Sequence, residues 1–421
     1  MSNYLKFKEY LANKATIDFT KHIVCVFRLT TKVNFKEAAI AVAAESSIGT
    51  WTKVAALNTD NVISSQKRKK LAAKIFYLSP RQKIVKIAYP LDLFEFGNIS
   101  QFLSGCAGNI FSMKILDQIR LEDVIFPAIY VKSFLGPQLG LHGVRKIANI
   151  KKRPLVGAII KPKIGLSAKQ HARVAQQCFL GGIDLVKDDE NLTDQTFNRF
   201  RQRVRETLKL ARQVEAKTGH RKICVFNITA SLSIMIKRAK YVKQQGGRCV
   251  MVDVFTAGFS ALQELRKQKL GLIIHAHRAM HSAFTRNPKH GITMLVLAKL
   301  LRLVGVDQLH TGTVVGKMEG SKKDVLAINQ FLTKSWYGLK PVMPIASGGL
   351  HPGLTPVLIK ILGHQLIINF GGGLHGHPQG ILAGAQAAYQ SVIASYRKIS
   401  LRTMAQRYPA LKVALKYWSS K

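Results

Sequence analysis

Acidic residues are scarce in this chain of 421 residues: 22 Asp and Glu stand against 64 Lys and Arg, a formal net charge of +42. A field of that sign attracts RNA, DNA and anionic lipid alike. The basic residues are nevertheless spread along the chain, with short clusters only at Gln66-Lys67-Arg68-Lys69-Lys70 and Lys151-Lys152-Arg153. No helix-turn-helix, zinc-finger or RNA-recognition signature and no basic tail is present. The pattern describes a solvated basic surface with incidental polyanion binding, which would also draw in a small phosphorylated substrate. Cysteine is sparse too. Cys25, Cys106, Cys178, Cys224 and Cys249 are odd in number and include no C-x-x-C pair, which argues against a disulfide framework or zinc site and for the reduced thiols of a cytoplasmic protein. Long apolar runs are missing: Leu155 to Ile160 is among the longest and far too short to span a bilayer. Met1-Ser2-Asn3-Tyr4-Leu5-Lys6 lacks the apolar core of a signal peptide. The expectation is a globular cytoplasmic protein with no membrane partner.

The length suggests two domains, or one large barrel with an appendage. From about residue 154, short apolar strands alternate with amphipathic helices. The strands read 155–161, 183–189, 222–229, 249–255, 270–277, 308–313, 342–349 and 366–373. Intervening segments carry helical spacing, as in Leu295, Ala298, Leu301 and Val304. Eight such repeats predict an α/β fold whose C-terminal domain, 136–421, is a (β/α)₈ TIM barrel. Residues 1–135 read as a separate α+β, ferredoxin-like domain, with strands 23–29 and 84–89 and helices 35–45 and 99–107. The Gly-rich stretch from Val131 to Ile150, with Pro137, reads as the connection.

Each barrel strand ends in chemistry. Lys161 and Lys163 follow the first strand; Lys187, Asp189 and Glu190 close the second; Asn227, Asp253, His277, His310 and Ser347 follow in order, then Gly371 to Gly373. A barrel gathers all eight C-terminal edges around one mouth, so residues far apart in sequence meet in one pocket. Within Gly181-Gly182-Ile183-Asp184-Leu185-Val186-Lys187-Asp188-Asp189-Glu190-Asn191, three adjacent carboxylates repel one another unless a cation intervenes, and a hard divalent ion such as Mg²⁺ suits oxygen ligands. Ser347-Gly348-Gly349 and Gly371-Gly372-Gly373 precede helices after strands seven and eight, where barrels commonly bind phosphate. Arg278, beside His277, suits bidentate phosphate binding. Lys161-Pro162-Lys163 adds a second cation cluster, and glycines on both sides of Lys317 describe a loop that could close. Singly, each motif is also what a solvated strand end or an ordinary turn shows. Together they describe a metal site between two anion sites, the layout expected for a sugar bisphosphate.

The chain resembles the large chain of ribulose-1,5-bisphosphate carboxylase/oxygenase (RuBisCO), most closely the archaeal form III type. The resemblance covers nearly the whole chain. It rests on 44–52 (AESSIGTWT), 108–111 (GNIF), 157–163 (GAIIKPK), 182–190 (GIDLVKDDE), 275–281 (HAHRAMH), 310–317 (HTGTVVGK) and the two glycine clusters. It implies that Lys187 becomes a carbamate by reaction with an activator CO₂, and that the carbamate, Asp189 and Glu190 hold Mg²⁺. It implies proton transfer by Lys161 supported by Lys163, assistance from His277, and stabilisation of incoming CO₂ by Lys317. Arg278 and His310 would bind one phosphate with Ser347 nearby; Gly348, Gly349, Gly371 and Gly372, with Thr50 and Trp51, would line the other. Residues matching Glu45, Thr50, Trp51 and Asn109 come from a partner subunit in this family, implying a homodimer with shared sites, open to higher oligomers of dimers and without a small subunit. The implied reaction is carboxylation of ribulose 1,5-bisphosphate to two 3-phosphoglycerates, with O₂ as a competing substrate and a role in AMP and nucleotide ribose salvage. Two alternatives stay open: a RuBisCO-like enolase or isomerase without CO₂ fixation, and a polyanion-binding protein on the same fold.

Overall fold

The computed structural model describes residues 8–49, 64–315 and 321–420; Thr50, Trp51 and Lys317 lie outside the described residues. Two compact units are present, one within Met1–Phe134 and Met280–Leu300, the other within Leu135–Ala279 and Leu301–Lys421. The segment Met280–Leu300, inside the 136–421 range expected for the barrel domain, is thus grouped with the first unit.

The first unit contains β1 (His22–Thr30), β2 (Lys74–Ser79), β3 (Ile84–Pro90) and β4 (Gln118–Ile125). They pair antiparallel in the order β4-β1-β3-β2. Helix Phe35–Glu45 follows β1 and helix Ile99–Ala107 follows β3, which gives the ferredoxin-like alternation expected from the sequence. Each helix starts where an asparagine can satisfy its first free N–H groups. Asn34 accepts from Lys36 and Glu37, and Asn98 accepts from Ser100 and Gln101. A two-residue strand, Gly291–Ile292, runs parallel to β4.

The second unit is a closed barrel of eight parallel strands. In chain order they are Leu155–Ile159, Leu185–Lys187, Ile223–Asn227, Cys249–Asp253, Ile273–His277, Gln308–His310, Met343–Ser347 and Ile367–Phe370. All lie within the ranges expected and are shorter. The 131–150 stretch is more than a connection. Residues Gly140–Ala148 form a helix whose Leu141, Val144 and Ala148 pack in one apolar cluster with Leu155, Leu185, Ile223, Met251, Ile273, Ile345 and Ile367. The buried Asp307 carboxylate fixes this plug by accepting from the N–H groups of Leu139, Gly140 and Ile274 at 2.7–2.9 Å. Burying these side chains, at roughly 1.5–3 kcal/mol each, closes one end of the barrel. The polar strand ends are gathered at the other. All five cysteines are buried free thiols, and among the described residues no helix is long and apolar enough to cross a membrane.

Candidate active site

Barrel strands two to seven end on Lys187, Asn227, Asp253, His277, His310 and Ser347. Parallel closure therefore brings these six residues to one rim, although 160 positions of sequence separate the first from the last.

The three consecutive acids divide by direction. Asp188 turns into the protein and is held by Arg203 (3.0 Å), His171 (3.1 Å) and the Asn227 N–H (2.9 Å). Burial opposes its ionisation, but Arg203 and His171 outweigh it and keep the carboxyl below the usual range. Asp189 faces the rim: Lys161 Nζ donates to its Oδ2 at 2.6 Å, and the Asn191 backbone and side-chain amides donate to its Oδ1. Burial again opposes ionisation, and the Lys161 and Asn191 hydrogen bonds prevail. Glu190 Oε2 lies 3.8 Å from Lys187 Nζ and 3.7 Å from His277 Nε2. Asn227 Nδ2 donates to the carbonyls of Asp189 and Glu190, which fixes the backbone that presents the pair.

Lys187 is the least conventional group here. Its side chain is 1% exposed, and its Nζ makes no hydrogen bond. Burial pushes the amine below the ordinary lysine value, against the pull of Glu190, Asp189, Asp253 and Asp188. A buried donor left unbonded costs about 1–3 kcal/mol. That cost persists where the atom has chemistry to do.

Two histidine arrangements complete the rim. His277 Nδ1–H donates to Asp253 Oδ1 at 2.9 Å, leaving Nε2 towards Glu190. His275 Nδ1 bonds Gln308 Oε1 at 2.7 Å and its Nε2 meets His310 Nε2 at 2.9 Å, while the His310 ring packs edge-on against His277. Burial pushes both His275 and His310 well below the usual imidazole value, so this pair is neutral and shares one proton along its contact. Arg278 donates to the Thr311 carbonyl at 3.2 Å, and burial lowers its pKa to about 10. Gly312, in a left-handed conformation at φ +95°, lets the guanidinium lie close, since a Cβ there would stand 2.7 Å from its Nη2.

The glycine clusters form two turns. Gly348 (φ +121°) and Gly349 (φ +67°) leave strand seven in a conformation that only glycine adopts freely. The turn leads first into a short 3₁₀ segment, Pro352–Leu354, and then into helix Thr355–Leu362. Gly371 caps the four-residue helix Gly372–His375, and a Cβ on Gly371 would stand 4.0 Å from Lys161 Cε, placing this turn beside the first strand's lysine. Lys163 is exposed on the loop after the first strand.

In the other unit, Glu45 ends helix Phe35–Glu45 with Oε2 buried and unbonded, and Asn109 opens the turn Asn109–Ser112. The sequence reading assigned no role to Gln308, His375 or the His275–His310 contact. His275 belongs to the 275–281 motif, but only the barrel places it against strand six.

Could the rim hold a divalent metal? Among the described residues no group of three His, Cys, Asp or Glu side chains is disposed to bind one. Asp189 and Glu190 offer two carboxylates. The third oxygen fits at Lys187, whose unbonded, deprotonation-prone amine is what CO₂ requires to form a carbamate.

Residues 140–418 match the family described as ribulose bisphosphate carboxylase large chain, catalytic domain, and residues 9–130 match its N-terminal domain. The ribulose bisphosphate carboxylase of Methanosarcina mazei is 47% identical over 418 residues, covering 95% of this chain and 96% of that protein. That of Pyrococcus abyssi is 49% identical over 390 residues, covering 92% and 90%. The octameric ribulose-1,5-bisphosphate carboxylase/oxygenase structure from Pyrococcus horikoshii superposes with a TM-score of 0.93 at 45% identity, covering 99% of both chains. The dimeric archaeal Rubisco from Hyperthermus butylicus gives a TM-score of 0.90 at 40% identity, again covering 99% of both.

Proposed function

The chain belongs to the ribulose bisphosphate carboxylase large-chain family, and on that premise we propose that it carboxylates ribulose 1,5-bisphosphate to two 3-phosphoglycerates. One observation carries the reading: a buried, unbonded lysine amine on strand two, flanked by two rim carboxylates. A neutral amine attacks CO₂, loses a proton and becomes an anionic carbamate, so Lys187 changes from a cation to an oxygen ligand. The carbamate, Asp189 and Glu190 would hold Mg²⁺, which when bound polarises the C2 ketone and stabilises negative charge on the substrate.

The remaining steps belong to side chains. The carbamate oxygen takes the C3 proton, leaving an enediolate whose C2 attacks a second CO₂. Lys317 stabilises the new carboxylate. His277, oriented by Asp253, assists proton transfer as water adds at C3 and the C2–C3 bond cleaves. Lys161, supported by Lys163, returns a proton to the C2 carbanion. Arg278 and His310, with Ser347 nearby, take one phosphate; Gly348, Gly349, Gly371 and Gly372, with Thr50 and Trp51, take the other. Glu45, Thr50, Trp51 and Asn109 act across a homodimer interface. The octameric and dimeric states of the Pyrococcus and Hyperthermus structures support an assembly of dimers. O₂ competes for the enediolate, residues 136–421 serve as the catalytic domain, and the setting is cytoplasmic ribose salvage from AMP and other nucleotides.

An enolase or isomerase without CO₂ fixation would use the same rim as far as the enediolate. Substituting Lys317→Ala separates the two. A carboxylase loses nearly all turnover, whereas an enolase barely responds, and unchanged product formation by the variant would remove the proposal.

A further inference from the structure

The C-terminal helix Pro409–Ser419 lies against the segments that follow both glycine turns. Trp418 stacks on His351, which follows the Gly348-Gly349 turn, with ring centroids 5.5 Å apart and planes 22° from parallel. The edge of the same indole closes over Gly376, which ends the short helix Gly372–His375 that the Gly371–Gly373 turn opens, where a Cβ would stand 3.4 Å from the ring. The helix is tied to these segments at two further points. His377 Nε2–H donates to the Ala410 carbonyl at 2.9 Å, and a Cβ at Gly353 would meet Leu415 at 3.8 Å. The turns also touch each other directly, since a Cβ on Gly373 would overlap the Leu350 carbonyl oxygen and press on His351 Cα. His351 Nδ1 makes no hydrogen bond, and burial lowers the imidazole's pKa. The indole face therefore does much to orient this neutral ring. One aromatic side chain far along the sequence thus braces two backbone segments that must hold their N–H groups still.

We propose that Trp418 is a positioning residue for the phosphate-binding turns, setting substrate affinity from outside the pocket. The inference rests on reading those turns as the phosphate site. Backbone donors act by fixed geometry, and a displacement of about 1 Å can cost up to a hundredfold; loss of one aromatic stack changes an equilibrium about three- to tenfold. The expected result for Trp418→Ala is therefore a KM for ribulose 1,5-bisphosphate raised about three- to tenfold, with kcat within about twofold. Trp418→Phe, which keeps a flat ring, should keep the parental KM, and Trp418→Leu, which keeps apolar volume without the ring, should show the same rise in KM and carries the test should the alanine variant not fold. Calorimetric titration with inorganic phosphate gives a second readout independent of turnover. Weaker phosphate binding in Trp418→Leu than in Trp418→Phe supports the positioning role even should the bisphosphate prove not to be the substrate. Parental KM and phosphate affinity in folded Trp418→Leu, or kcat falling with KM unchanged, would overturn it.

Discussion

Replacing Lys187 with methionine isolates the central feature of the site. The side chain is buried and its amine unbonded, so a thioether of similar length removes an unsatisfied donor whose burial costs about 1–3 kcal/mol. Against this stands the lost attraction to Glu190, Asp189, Asp253 and Asp188, of which the Glu190 contact at 3.8 Å is the largest, about 4 kcal/mol for two full charges at an effective dielectric of about 20 and nearer 1 kcal/mol in water. Burial holds the amine below its ordinary pKa, and the Glu190 side chain is one-third exposed, so the smaller figure governs. The expected outcome is a variant as stable as the parent or up to about 2 kcal/mol more stable, and devoid of carboxylation because no carbamate forms. Thermal unfolding in CO₂-free, Mg²⁺-free buffer, alongside fixation of labelled CO₂, measures both. A variant destabilised by more than about 2 kcal/mol would show that the amine is a charged partner in a working ion pair. One that still fixes CO₂ would refute the mechanism.

Asp188→Asn should behave in the opposite way. Breaking the buried contacts to Arg203 and His171 should destabilise the fold by about 3–5 kcal/mol, read as a lower melting temperature. Arg278→Lys, which loses the planar fork, should raise the KM for bisphosphate about tenfold or more, checked by steady-state kinetics. His375, whose Nε2 bonds the Ile159 carbonyl, is lowered by burial to about 4 from an ordinary value of 6.5. Between those values the unfolded state binds the extra proton, so this residue's contribution is intact above pH 6.5 and lost as pH falls towards 4. His375→Gln should flatten that acid slope by up to about 3 kcal/mol in denaturation midpoints measured across the range.

Much of this architecture is legible in the sequence because barrel topology converts a local pattern into a global one. An apolar run repeated eight times, six of the eight ending on a polar residue, specifies both the closure and the rim. The direction of Asp188 is less legible. Its partners Arg203 and His171 sit on helices, and nothing in the spacing singles them out. The helix Gly140–Ala148 was obscured by Gly140, Gly143 and the preceding Pro137, which read as loop, although Leu141, Val144 and Ala148 have helical spacing. What rescues this helix is Asp307, far along the chain, accepting from its first N–H groups. The His275–Gln308 and Trp418–His351 contacts are invisible for the same reason: each joins elements whose adjacency exists only after closure.

The most direct test is to incubate the purified protein with Mg²⁺, labelled bicarbonate and ribulose 1,5-bisphosphate and to identify the product. Two molecules of 3-phosphoglycerate per bisphosphate, with label in one carboxylate, is the result expected. Enolised or isomerised bisphosphate without label, or unchanged substrate, would contradict it.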